Sequence, residues 1–248
     1  MCIRDRYKST LCNPNTLNIF SDASILQIKN GAKIDYYIGC PGISVWYMDN
    51  KIGEYSEVYT KVTNNFSEIR AIFLAVWAAR QYKIQYPMIK YINIFSDSKI
   101  SICGLRDWMF GWIQKSNDGV LMSTSGVVKN QEHFIKIIKF ICDNDLSLRF
   151  YHVRGHHDHN TQKELIQFRN SFRRENHIND MIDDNLVRYL IRGNSDVDHL
   201  TRRPLKDKHQ LDASFELECY GHVPMTFDYK TIVKEFDVDK YRRLILGG

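Results

Sequence analysis

The sequence predicts a mixed α/β fold: a five-stranded sheet, three strands antiparallel and then two parallel, flanked by helices. Three observations carry this expectation. The stretch LNIFSDAS at residues 17–24 returns almost unchanged as INIFSDS at residues 92–98, and each copy is an apolar β-forming run ending in a carboxylate between small hydroxyl residues. Short alternating runs separated by turn residues follow the first copy, which describes an antiparallel meander. Between and after the copies the apolar period changes from two to three or four, the spacing of helices laid against a sheet.

Composition bounds the alternatives. The chain has 248 residues, 44% hydrophobic and 25% charged, enough to bury a good core. A net charge of +5 permits a polyanionic partner without demanding one. Six cysteines lie without a CxxC pair, against a thiolate metal knuckle or a disulfide framework and for a reducing, cytoplasmic or other intracellular setting. The longest apolar run, residues 71–79, is too short to span a bilayer, so no membrane association is expected.

Residues 1–15 have no periodicity and read as a loose leader; residues 16–192 read as one domain, and 193–248 as a C-terminal extension. After the first strand, residues 31–47 bracket Gly39, Pro41 and Gly42 and end in the alternating ISVWY, and residues 55–62 read as a third strand. In residues 63–82, Phe66, Ile69, Ile72, Phe73, Val76 and Trp77 recur at helical spacing, with Asn64 or Asn65 as the cap and Glu68 near the start. Residues 91–95 form the repeat strand, 99–109 a short helix, and 110–130 an excursion rich in Gly and Ser beside Trp108 and Trp112. An amphipathic helix at 131–142 and a fifth strand at 147–153 complete the layers.

The polar loop from Arg154 carries His156, His157 and His159, and no cysteine lies near enough to suggest zinc. A further helix is expected at 179–191, where Asp180, Asp183 and Asp184 exceed what capping needs; Asp180 and Asp183 are the two spaced to face the sheet. Residues 193–204 read as a linker.

If the two NIFSD strands lie side by side, Asp22 and Asp97 meet at their ends, and two close anions both stay ionised only beside a cation. Glu68 and Asp183 bring a third and fourth carboxylate. An all-oxygen donor set favours hard cations, Mg²⁺ or Mn²⁺, and two such ions about 4 Å apart can clamp the attacking and leaving oxygens of a phosphodiester.

The strand-end Asp in SDAS, Thr63-Asn64-Asn65 with Glu68, SDS around Asp97, the tryptophan-bearing excursion ending in Val-Lys-Asn at 128–130, Arg-Gly-His at 154–156 and Asn179 with Asp183 stand in an order that resembles the ribonuclease H family, type 1 class. The resemblance covers about residues 17–191. It implies an RNase H-like fold and cleavage of the RNA strand of RNA/DNA hybrids by a monomer, leaving 3′-hydroxyl and 5′-phosphate ends. It further implies Asp22, Glu68, Asp97 and Asp183 as ligands of two Mg²⁺ or Mn²⁺ ions and His156 as a mobile histidine that helps product leave. Thr63 would grip a DNA phosphate and Asn64 and Asn65 would read the minor groove, with Ser24, Trp108, Trp112 and Arg154 as further substrate contacts.

Two features depart from the family pattern. Only Asn30 and Gly31 stand where a Gly-rich turn usually follows the first Asp, and the excursion carries only Lys115 and Lys129 as positive charges, so Arg169, Arg173 and Arg174 are expected to compensate. A 3′-to-5′ exonuclease of similar fold would want an acid where Ser24 stands. The other alternative is a catalytically inactive hybrid-binding or structural domain of a replication or reverse-transcription assembly.

Overall fold

The computed structural model describes residues 13–155, 161–206 and 228–246. Two long strands, β1 (Thr16–Asn30) and β2 (Lys33–Tyr47), form a hairpin, and β3 (Asn50–Ser56) adds to β2. A two-residue strand, β4 (Tyr59–Thr60), also pairs with β2, so the single third strand expected at 55–62 is split in two. Helix α1 (Asn64–Gln85) crosses to β5 (Tyr91–Ser96). Then come α2 (Lys99–Cys103), a π-turn at Gly104–Trp108, α3 (Met109–Gln114), and a small ribbon of β6 (Met122–Ser123) and β7 (Gly126–Val127). Helix α4 (Gln131–Asp143), strand β8 (Leu148–His152), and helices α5 (Gln162–Glu175), α6 (Asp184–Lys206), α7 (Tyr229–Lys234) and α8 (Val238–Leu246) complete the described chain.

The main sheet runs β3-β2-β1-β5-β8, antiparallel across β3, β2 and β1 and parallel across β1, β5 and β8. This is the expected mixed sheet. The sequence repeat pairs with itself: Asn18 stands opposite Asn93, Ile19 opposite Ile94, Phe20 opposite Phe95 and Ser21 opposite Ser96. Buried polar groups lock that register, because Asn93 Nδ2 donates to Asn18 Oδ1 at 2.8 Å and Asn18 Nδ2 donates to the Tyr189 hydroxyl of α6 at 3.0 Å. A one-residue slip would break both bonds and turn the apolar side chains to the wrong face.

Strand alternation sends the two faces into different cores. Leu17, Ile19, Ile92, Ile94, Leu148 and Phe150 pack with α1 and α4 on one side. Phe20, Phe95 and Tyr151 pack with α5 and α6 on the other, Phe20 stacked on Phe95 at 4.8 Å between ring centres. Asp22 and Asp97 follow Phe20 and Phe95 at even steps, so both fall on the side of α6.

Helix α6 runs unbroken through residues 193–204, where a linker was expected. Leu186, Val187, Leu190, Val197, Leu200 and Leu205 form one continuous buried stripe, which is what holds the helix to the sheet. Gly193 is there for space: a Cβ at that position would lie 2.3 Å from the Phe20 ring. The glycine allows close approach of helix to strand and does not end the helix.

Candidate active site

Asp22 and Asp97 do meet. Their carboxyls are hydrogen-bonded to each other just beyond the last β1–β5 pair, Ser21 with Ser96. Burial raises both pKa values, with the charge of Asp198 adding to it at Asp22 and that of Asp22 adding to it at Asp97, which is pushed up to about 8. The pair therefore holds a proton at neutral pH that isolated carboxyls would have lost.

Glu68 reaches the same place from α1. Its carboxylate accepts from Asn64 Nδ2 at 2.6 Å and from Ser98 Oγ at 2.5 Å, and Ser98 caps α2 directly after Asp97. The helix begins one residue earlier than expected, with Thr63 as its cap accepting from the Phe66 amide at 3.2 Å. Asn64 and Asn65 are thus the first helical residues, neither of them the cap.

The fourth carboxylate comes from an unexpected position. A hollow of about 510 Å³ is lined by Asp22, Glu68, Asp97 and Asp198, with Ser24, Arg202 and Lys206 on its wall. Asp183 is elsewhere: it is exposed, and its Oδ1 accepts from the Leu186 amide at 2.9 Å as the cap of α6. Neither Asp180 nor Asp184 lines the hollow, and Asp184 is ion-paired with Arg169. Capping consumes Asp183 because a helix start leaves amides unsatisfied and an Asp side chain is well shaped to accept from them. Four turns further along, α6 brings Asp198 and Thr201 against the end of β1. Thr201 Oγ1 donates to Asp22 Oδ2 at 3.2 Å and is 2.8 Å from Ser24 Oγ.

The signal for Asp198 was present, since Asn194 and Asp198 repeat the Asn-x-x-x-Asp spacing of Asn179 and Asp183. The apolar stripe also continues without a break past Ile191. Reading Gly193 as a linker residue hid both.

Other groups support the acids from behind. His152 on β8 is buried, and its Nε2 lies 3.0 Å from the Asp97 carbonyl oxygen, an acceptor, so that nitrogen carries the proton. Burial lowers the His152 pKa, and a neutral imidazole results. Gly155 lets the loop after β8 pass Asp97, since a Cβ there would lie 2.6 Å from Asp97 Oδ2. Arg154 is exposed beside it, while His156, His157 and His159 lie outside the described residues.

A second hollow of about 690 Å³ begins one turn along α1 from Glu68. Asn65, Trp108, Trp112, Lys115, Ser123, Thr124 and Lys129 line it, and Trp108 and Trp112 stand 5.8 Å apart. The basic compensation expected from α5 is largely absent, because Arg169 is paired with Asp184 and Arg173 donates to the Asn179 carbonyl at 2.7 Å. Arg174 alone of the three is mostly exposed, and it touches Glu175 at 3.2 Å.

The acidic hollow suits a divalent cation by its chemistry: its donors are carboxylate oxygens, and a proton sits where a cation would relieve Asp22 and Asp97. Among the described residues no three His, Cys, Asp or Glu side chains close into a ready ligand cluster. Ligation would require Glu68 to turn from Asn64 and Ser98, and Asp198 from Arg202.

The family model for RNase H matches residues 14–181, about two thirds of the chain. The chain belongs to the RNase H family. This RNase H has a relative named Ribonuclease H in Ruthia magnifica subsp. Calyptogena magnifica, 28% identical over 122 residues, 48% of this chain and 76% of the relative. Among solved structures, the foamy viral protease-reverse transcriptase in complex with RNA/DNA hybrid is similar to it with a TM-score of 0.46 and 14% identity over 58% of this chain, which spans only 18% of that protein. LC9-RNase H1 gives a TM-score of 0.41 with 20% identity over 57% of this chain and 64% of its own. The PFV RNase H domain gives 0.44 with 16% identity, over 66% of this chain and 95% of its own. The matched region stops before Asp183 and Asp198, so the choice between them rests on the geometry of this RNase H alone. No helix among its described residues is long and apolar enough to cross a membrane.

Proposed function

We propose that this RNase H cleaves the RNA strand of RNA/DNA hybrids as an endonuclease, leaving 5′-phosphate and 3′-hydroxyl ends, with Asp22, Glu68, Asp97 and Asp198 as its catalytic acids. The observation that carries the reading is the convergence of these four carboxylates from β1, α1, β5 and α6 in one open hollow. Together they would hold two Mg²⁺ ions, or Mn²⁺, which when bound supply an activated water and charge relief for the leaving oxygen.

The chain's own groups prepare that site. Asp22 and Asp97 would hold a cation as a fully ionised pair, their shared proton passing to solvent. Thr201 fixes the Asp22 carboxylate through its 3.2 Å hydrogen bond, and Ser24 in turn holds Thr201. His152 anchors the Asp97 backbone, so the strand end cannot drift as charge changes. Arg202, paired with Asp198 at 2.8 Å, would meet a phosphate once Asp198 turns away, with Lys206 as a second cation on the same wall.

The second hollow would take the DNA strand, with Trp108 and Trp112 against sugars and Asn65 on its wall. Asn64 is tied to Glu68 and would read the minor groove only after releasing it. Thr63, at the exposed start of α1, would present the helix-end amides to a phosphate. The RNA strand is then selected by its 2′-hydroxyls on the acidic side. Arg154, exposed just before Gly155, would be a further contact, and His156 would assist product release.

Strand-labelled RNA/DNA, DNA/DNA and RNA/RNA duplexes incubated with Mg²⁺ and resolved on a denaturing gel test this reading. Cleavage confined to RNA in the hybrid is expected. Uncut hybrid, bound with unchanged affinity, would mark an inactive hybrid-binding domain.

A further inference from the structure

We propose that the two C-terminal helices, α7 and α8, clasp the excursion that carries the tryptophans, making Tyr241 and Lys234 positioning residues for hybrid binding. The inference rests on the reading that Trp108 and Trp112 contact the hybrid. Both helices lie beyond the part of the chain that matches the family, residues 14–181.

The main body holds the excursion at its base, where Arg106 of the π-turn donates to the Phe150 carbonyl of β8 at 3.3 Å and Trp112 stands 5.5 Å from the Phe134 ring of α4. The excursion's own strands pair only with each other, and its tie to α4 includes one bond, from the Leu121 amide to Gln131 Oε1 at 2.7 Å. The C-terminal helices grip it at both ends. At the near end the fully buried Tyr241 donates its hydroxyl to the Leu105 carbonyl at 2.9 Å. Leu105 sits in the π-turn, where the Met109 amide reaches back to the Gly104 carbonyl, and Trp108 is that turn's last residue. A π-turn is an under-wound segment that persists where tertiary contacts hold it. Phe110, next along, stands 5.8 Å from the Tyr241 ring and beneath the Arg242 guanidinium at 4.9 Å.

At the far end the backbones touch. Gly119 has a φ of +75°, and a Cβ on it would lie 2.4 Å from the Lys230 carbonyl oxygen of α7. Beside this contact Lys234 Nζ is 2.6 Å from Asp118 Oδ1. Val233, Tyr241 and Ile245 share one apolar core with Leu105, Met109 and Leu121, so clasp and tryptophan wall pack as a unit. The tilt of Trp108 and Trp112 toward a duplex is therefore set jointly by Arg106 and Phe134 and by residues more than a hundred positions later in the chain.

The test uses the full chain and a short labelled RNA/DNA hybrid, with KM and kcat measured well below the unfolding temperature. Tyr241→Phe leaves the Leu105 carbonyl buried without its donor and is expected to raise KM about fivefold with little change in kcat. Lys234→Glu is expected to raise KM about threefold, and adding Asp118→Lys to restore it. Lys139→Glu makes the same charge change on α4 at a residue paired with Asp143 and not with the excursion, and Ile138→Val weakens the core; both should leave KM unaltered. Trp108→Ala and Trp112→Ala separate the two readings. If they raise KM while Tyr241→Phe and Lys234→Glu match the parent, the clasp is overturned; if they leave KM unchanged, the substrate wall falls and the clasp with it. A KM rise equal in Lys234→Glu and Lys139→Glu would reduce the effect to long-range charge and overturn positioning.

Discussion

Asp198 and Arg202, one turn apart on α6, are ion-paired at 2.8 Å on the wall of the acidic hollow. The guanidinium offsets the charge of the fourth carboxylate, which is near enough to raise the pKa of both Asp22 and Asp97. A single i,i+4 pair with a half-exposed Arg stabilises only modestly, so a divalent ion can displace it.

That arrangement makes the two Asn-x-x-x-Asp segments experimentally distinct. Asp198→Asn is expected to lower Mg²⁺-dependent cleavage by at least about a hundredfold, the upper range for disturbing even an outer-shell group of a metal site. Asp183→Ala should instead cost about 1 kcal/mol of stability through the lost cap and leave kcat nearly intact. Urea unfolding and hybrid cleavage on both variants check the pair. The opposite pattern would return the fourth acid to Asp183.

Asp97 ties stability to pH. Its folded pKa is raised from 3.8 to about 8, so between those values the native state binds a proton that the unfolded chain has lost. Stability of the cation-free protein should then fall as pH rises from about 5 to 8, by no more than about 1.4 kcal/mol per unit from this group. Thermal unfolding in EDTA at pH 5.5 and pH 8.5 measures the fall. Asp97→Asn, expected also to abolish cleavage, should flatten it, as should saturating Mg²⁺. A parent and variant with equal pH dependence would remove Asp97 as the titrating group.

Gly193→Ala discriminates close packing from a linker. In an unconstrained helix the change would add about 1 kcal/mol of stability. Here the new methyl meets the Phe20 ring, and a loss of about 1–3 kcal/mol is expected. Chemical denaturation gives the sign directly, and a stabilised variant would contradict the contact.

The α5 arginines should act mainly on the fold. Replacing Arg169, Arg173 and Arg174 with Ala removes an ion pair to Asp184 and a hydrogen bond to Asn179, while only Arg174 is open to a phosphate. Lower stability is expected, with a change of at most about one unit in the slope of log affinity against log salt. Hybrid binding at several salt concentrations in an Asp97→Asn background reads the slope. A change near three units would reinstate these residues as the substrate's basic surface.

What could be read from the sequence was whatever repeats or alternates locally. The NIFSD copies announced two strands ending in Asp, and because they pair residue for residue, Asp22 and Asp97 had to meet. The helix bearing Glu68 followed from apolar spacing alone, within a residue of its observed start. The fourth carboxylate of the hollow was another matter, since both Asp183 and Asp198 fit the same spacing and only the docking of α6 on the Phe20 face brings Asp198 to the hollow and leaves Asp183 at the helix start. Local signals also misled at Gly193, where a residue that commonly breaks helices serves to let one touch a phenylalanine. The grip of Tyr241 on Leu105 lies 136 positions apart in the chain. Periodicity describes which face of an element is buried, but which partner buries it depends on how whole layers pack, and that is settled only when the chain has closed on itself.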